Sequence, residues 1–161
     1  MTKQHSAQEL ESIATAITRQ QLSLHKQLTT VKNELRSVLH DLAASKEELR
    51  EAQSRLNEID AFLDDVAVEL EELQQSEDAN EQHLAAKENE QEQLMMERED
   101  EVALLVQLQN VHDLHLSVAT HLRQMLVHLM RELTKMRNQE QLLAMLALRS
   151  GVFKLMRRKL L

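Results

Sequence analysis

The chain has 161 residues, with 19 Lys+Arg against 27 Asp+Glu, a single Gly, two Phe, and no Pro, Cys, Trp or Tyr. Its apolar share of 42% is ordinary for a soluble protein. That share is drawn almost wholly from Leu, Ala, Val, Ile and Met, whereas strands favour aromatic and β-branched residues and turns want Gly, Pro and Asn, so β-rich and α/β domains are excluded. With Gly151 alone, no glycine-rich phosphate loop can be built; without Cys there are no disulfides, Cys-zinc sites or thiol chemistry.

The opening MTKQHSAQEL holds no apolar segment of the secretory kind. The longest unbroken apolar run, Leu142 to Leu148, falls far short of the roughly 18 to 20 residues that a spanning helix needs. The expectation is an intracellular, cytoplasmic protein with no transmembrane segment.

Charge divides the chain into four blocks. Residues 1–70 carry 8 basic and 12 acidic residues, and residues 71–101 carry 2 and 12. Residues 102–119 hold only Asp113, and residues 120–161 carry 9 basic and 2 acidic residues. An acidic middle and a basic end imply charged partners for each, or for one another.

From about residue 7 to residue 73 the chain repeats every seven positions. Leucine recurs at Leu28, Leu35, Leu42, Leu49, Leu56, Leu63 and Leu70, each followed three residues later by Val31, Val38, Ser45, Ala52, Ile59, Val66 and Leu73. The register extends backwards through Leu10, Ile17 and Leu24 with Ala7, Ala14 and Gln21. A period of 3.5 keeps an apolar stripe on one face only where helices wind around one another. Residues 7–73 therefore form a coiled-coil segment. Leu at a with β-branched residues at d argues against a simple parallel homodimer; an antiparallel pairing or a mixed bundle escapes that rule. Ala7, Ala14, Gln21, Ser45 and Ala52 set the register and allow close approach.

Residues 74–101 interrupt the stripe. The same count places Glu77, Asn80, Lys87, Gln91, Arg98 and Glu101 at core positions, with only Leu84 and Leu94 apolar, so no dry seam forms there. Either the helix runs on as a solvated acidic rod, or Ser76-Glu77-Asp78-Ala79-Asn80 turns the chain back into a hairpin. Without Gly or Pro in this stretch, one long, bent helix is the favoured reading; about 140 residues would span about 210 Å.

Residues 102–148 are apolar over a wider face. A 3,4,4 pattern runs through Val111, Leu114, Val118, Leu122, Met125, Leu129, Leu133 and Met136, while the older heptad persists at Leu105, Leu108, Leu122, Leu126, Leu129, Leu133 and Met136. Two overlapping stripes make a face too broad for one partner helix, and flexible Met side chains suit adaptable contacts. The a-position leucines from Leu28 to Leu70 and the eight 3,4,4 residues are the expected partner interface.

Chemistry is sparse. His112 and His115 share a helical face with Asp113 nearby, but a third ligand and the zinc-protease helix motif are missing, so both read as structural or surface histidines. The glutamates from Glu88 to Glu101 form a solvated face with no calcium loop. No cofactor, metal or catalytic group is expected. Residues 149–161 form a basic amphipathic tail in which Arg149, Lys154, Arg157, Arg158 and Lys159 are candidates for a polyanion such as a membrane surface or an acidic microtubule tail. Nucleic acid is disfavoured, because five charges with one aromatic residue make no recognition motif; a docked terminal turn is the alternative.

The expected fold is all-α, a long coiled-coil helix (one bent rod, or a two-helix hairpin) within a multi-helix bundle. The expected role is a non-catalytic structural subunit, a strut, ruler or tether bound to other coiled-coil proteins in a cytoskeletal or ciliary assembly.

Overall fold

A computed structural model describes residues 7–78 and 80–149. Helix α1 spans Ala7–Gln75 and helix α2 spans Glu81–Arg149, and the described residues contain no strand. Glu, Gln, Leu and Ala dominate both sequences, so intrinsic propensity and the absence of Pro favour long helices. Glu81 in the first turn and Arg149 in the last turn of α2 each oppose the nearer helix-end charge.

The chain turns between the helices, and this corrects the expectation of one continuous helix. The backbone N–H of Ser76 donates to the carbonyl of Glu72 (3.1 Å), completing the last turn of α1. Asn80 then caps α2: its Oδ1 accepts from the N–H of Gln82 (3.1 Å) while its carbonyl accepts from that of Leu84 (3.0 Å). The cap satisfies helix-end groups that would otherwise lack partners, so neither Gly nor Pro is needed. Pairing within one chain also covers the seven-residue stripe of each helix without a second molecule having to be captured.

The structure divides into two units, Met1–Val38 with Val118–Leu161 (unit 1) and Leu39–Ser117 (unit 2). Within unit 1 the helices pack antiparallel around two apolar clusters. Leu10, Ala14 and Ile17 of α1 meet Leu143 and Ala147 of α2, with Met136 against them. Val31 meets Leu122 and Leu129, flanked by Leu24, Leu28, Leu35, Val38 and Leu126. Antiparallel pairing is the arrangement that escapes the parallel-dimer rule, and Ala14 and Ala147, both fully buried, let the two backbones close up.

Unit 2 is also antiparallel but has a different interior. From α1 it buries Ser45, Ala52, Leu56, Val66 and Leu70. From α2 it buries none fully: every buried α2 residue lies between Ala119 and Ala147. Polar groups span the pairing instead. Arg55 donates to Glu101 (2.6 Å), Arg98 to Asp60 (2.7 Å), and Lys87 pairs with Glu69. Three of the polar core positions of residues 74–101, Lys87, Arg98 and Glu101, thus hold cross-helix ion pairs.

The hairpin predicts an intrachain link. Ser45→Cys with His112→Cys, in a chain with no other cysteine, should oxidise at high dilution to a faster-migrating monomer on a non-reducing gel; intermolecular products alone would contradict the fold. Leu10 is 1% exposed whereas Leu22 is 57% exposed. Leu10→Ala should lower the unfolding free energy by about 2–5 kcal/mol. Leu22→Ala should change it by less than about 0.5 kcal/mol in the same denaturant titration.

Candidate interaction surface

The inward residues of α2 follow the seven-residue count. Leu122, Leu129 and Leu133 are buried, and Leu105, Leu108, Leu126 and Met136 are half-buried. The heptad is thus the stripe that faces α1, and the 3,4,4 pattern is split by it. Leu122, Leu129, Leu133 and Met136 belong to the seam, whereas Val111, Leu114, Val118 and Met125 point outward. The α1 leucines are likewise committed to their own chain. Leu56 and Leu70 are buried, and Leu28, Leu35, Leu42, Leu49 and Leu63 are half-buried.

Much of the exposed apolar surface lies on α2. In unit 2, Leu104, Val111 and Leu114 stand to one side of the seam and Val106 and Leu116 to the other. In unit 1, Val118 and Met125 stand to one side and Val127 and Met130 to the other. All nine are exposed large hydrophobic residues. Isolated exposed apolar residues are ordinary; here several stand at helical spacing within each unit. In unit 1 an open groove of about 360 Å³ lies beside Leu10, Ile13, Ile17, Leu142, Leu143 and Leu146, with Gln20 and Gln139 as its polar lining residues. It holds no titratable group and offers no chemistry beyond apolar contact.

The histidine pair sits in the seam of unit 2. His112 Nδ1 lies 3.0 Å from Ser45 Oγ, and that hydroxyl donates to the Leu42 carbonyl at 3.0 Å. The single hydroxyl proton is committed to the carbonyl, so His112 serves as the donor through Nδ1–H. His115 Nδ1 is buried with no hydrogen-bond partner. Asp113 faces away and accepts from Gln109 Nε2 (3.0 Å). No group of three or more His, Asp or Glu placed to hold a metal ion occurs among the described residues. The Ser45–His112 contact was invisible in the sequence, because pairing residues 67 apart requires knowing where the chain turns.

Charge on the surface is locally paired. Hydrogen bonds from Lys87 to Glu69 and then Glu90 raise the Lys87 ammonium above its ordinary range. A raised lysine stabilises the fold fully below its unfolded value of 10.5, and the contribution disappears as pH climbs through the raised value. Lys135 lowers the Glu132 carboxyl through a hydrogen bond and its charge. Of the candidate polyanion residues, Arg149 is the exposed last residue of α2; Lys154, Arg157, Arg158 and Lys159 lie outside the described residues.

The two seam histidines should respond oppositely to substitution. His115→Leu removes an unsatisfied buried nitrogen and should raise the unfolding free energy by about 1–3 kcal/mol. His112→Leu strips Ser45 of its donor and should lower it, and Ser45→Ala added to His112→Leu should recover most of that loss; thermal unfolding of the three variants measures both effects. Compared with known proteins, the chain matches no family model, and no curated protein or solved structure matches it.

Proposed function

We propose that this chain is a non-catalytic structural subunit, a strut, ruler or tether that packs with other coiled-coil proteins in a larger intracellular assembly. The observation that carries the reading is the apolar surface that α2 leaves exposed in each unit. After α1 and α2 have covered one another, Leu104, Val111 and Leu114 of unit 2 and Val118 and Met125 of unit 1 are still exposed. Exposed apolar residues at helical spacing serve association, and no helix among the described residues is long and apolar enough to cross a membrane and hide them in lipid. A cytoskeletal or ciliary (axonemal) setting suits a chain whose helices run for 69 residues each and whose charge is segregated along the sequence. Lys135 projects from the same flank of α2 and reports on it directly. Cross-linking with mass spectrometry in native extract should join Lys135 to lysines of other chains, whereas links confined to this chain would refute the assignment.

A second reading is an adaptor that grips an anionic membrane surface or an acidic protein through Arg149, Lys154, Arg157, Arg158 and Lys159. The excess of basic residues after residue 120 favours it. Removing residues 150–161 should then abolish co-sedimentation with phosphatidylserine-containing vesicles and with acidic peptides. Equal binding by the full and shortened chains would end this reading.

A further inference from the structure

The open groove of unit 1 lies over one of that unit's two buried clusters. Leu10, Ile17 and Leu143, all buried, form its floor. Ile13, Leu142 and Leu146 stand at its rim, 44%, 59% and 37% exposed. Three large apolar side chains are thus left in water around about 360 Å³ of open space that no described residue fills.

Helix α2 closes at Arg149, one turn beyond Leu146, so residues 150–161 follow it from the mouth of this groove and belong to the same unit. Ser150 and Gly151 come first, and two residues are enough to join antiparallel helices. Gly151, the only glycine in the chain, stands where helices commonly take the left-handed conformation that ends them. The residues after it match the groove. Val152, Phe153, Met156 and Leu160 recur at three- and four-residue steps, so a helix would carry them on one face, with Lys154, Arg157 and Arg158 on the other. Lengths agree as well. Val152 to Leu160 would make about 14 Å of helix, against about 15 Å of α1 from Leu10 to Gln20. Residues 1–6 offer no such match, since Met1 is their one large apolar side chain.

We infer that the groove of unit 1 is the docking site for residues 152–160 of the same chain, which fold back at Gly151 and lie along it as a third, short helix. A joint this short holds the segment at an effective concentration on the order of millimolar, well above that of a second copy in dilute solution. Docking covers Ile13, Leu142 and Leu146 with the segment's apolar face and turns its basic face to solvent. The inference goes beyond the association reading: it commits the apolar half of the tail to its own chain, so that a polyanion meets Lys154, Arg157 and Arg158 by charge alone.

The test uses the full chain, which lacks Trp and Tyr, so that Phe153→Trp gives a single emitter on the tail. Its emission should be blue-shifted and should stay so on dilution to nanomolar concentration. Ile13→Glu with Leu142→Glu should move it to the red position of a solvent-exposed indole, with far-UV helicity falling by no more than the tail's share, because both side chains are exposed once the two helices have paired. The milder Leu142→Gln should move it part of the way. Gln20→Cys with Leu160→Cys should form an intrachain disulfide at high dilution, whereas Leu22→Cys, outside the groove lining, with Leu160→Cys should not. Solvent-like emission from the otherwise unaltered chain, a blue shift indifferent to the groove substitutions, or equal disulfide yields from both pairs would each overturn the inference. A blue shift that vanishes on dilution would overturn it too, by placing another copy's tail in the groove.

Discussion

A single constraint organises this chain: apolar residues spaced 3.5 apart must be covered by another helix with the same spacing, and the chain supplies that helix itself. Within each unit, α1 and α2 run antiparallel, and the seven-residue count that begins near Ala7 also describes the inward face of α2. A helix with one such stripe needs one neighbour. A helix with further apolar residues beside the first stripe, as α2 has at Leu104, Val111 and Leu114 in unit 2, is still incompletely covered when the two helices have paired. The fold and the proposed role thus come from one arrangement of leucines, valines and methionines.

The two units are held by different forces. Unit 1 buries Leu10, Ile17, Val31, Leu122, Leu129 and Leu143 in dry contacts, each worth a few kcal/mol against truncation. Unit 2 spans its helices with Arg55–Glu101, Arg98–Asp60 and Lys87–Glu69, and exposed ion pairs contribute about 0–1 kcal/mol each. Their worth lies in alignment. A slip of one heptad would separate all three pairs and leave Ser45 away from His112, so within unit 2 these polar contacts select the register. The unsatisfied Nδ1 of His115 lies in the same unit and costs stability where there is least to spare.

Much of this was legible in residue order alone. The helical class follows from a composition almost free of Gly, Pro and aromatic residues, and the α1 seam from leucines seven apart between Leu28 and Leu70. Both are local properties, expressed within one turn or one heptad. Where the chain reverses was not legible: Ser76 to Asn80 carries Ser, Asp and Asn but neither Gly nor Pro, which a continuing helix also tolerates, and the choice between rod and hairpin depends on comparing burial across residues as distant as Ala14 and Leu143. Nor could sequence choose between the overlapping stripes of α2, because Leu122, Leu129 and Leu133 belong to both. Only packing against α1 turned Val111, Leu114, Val118 and Met125 outward, since a helix presents one stripe to its neighbour and whatever lies about 100° away stays uncovered.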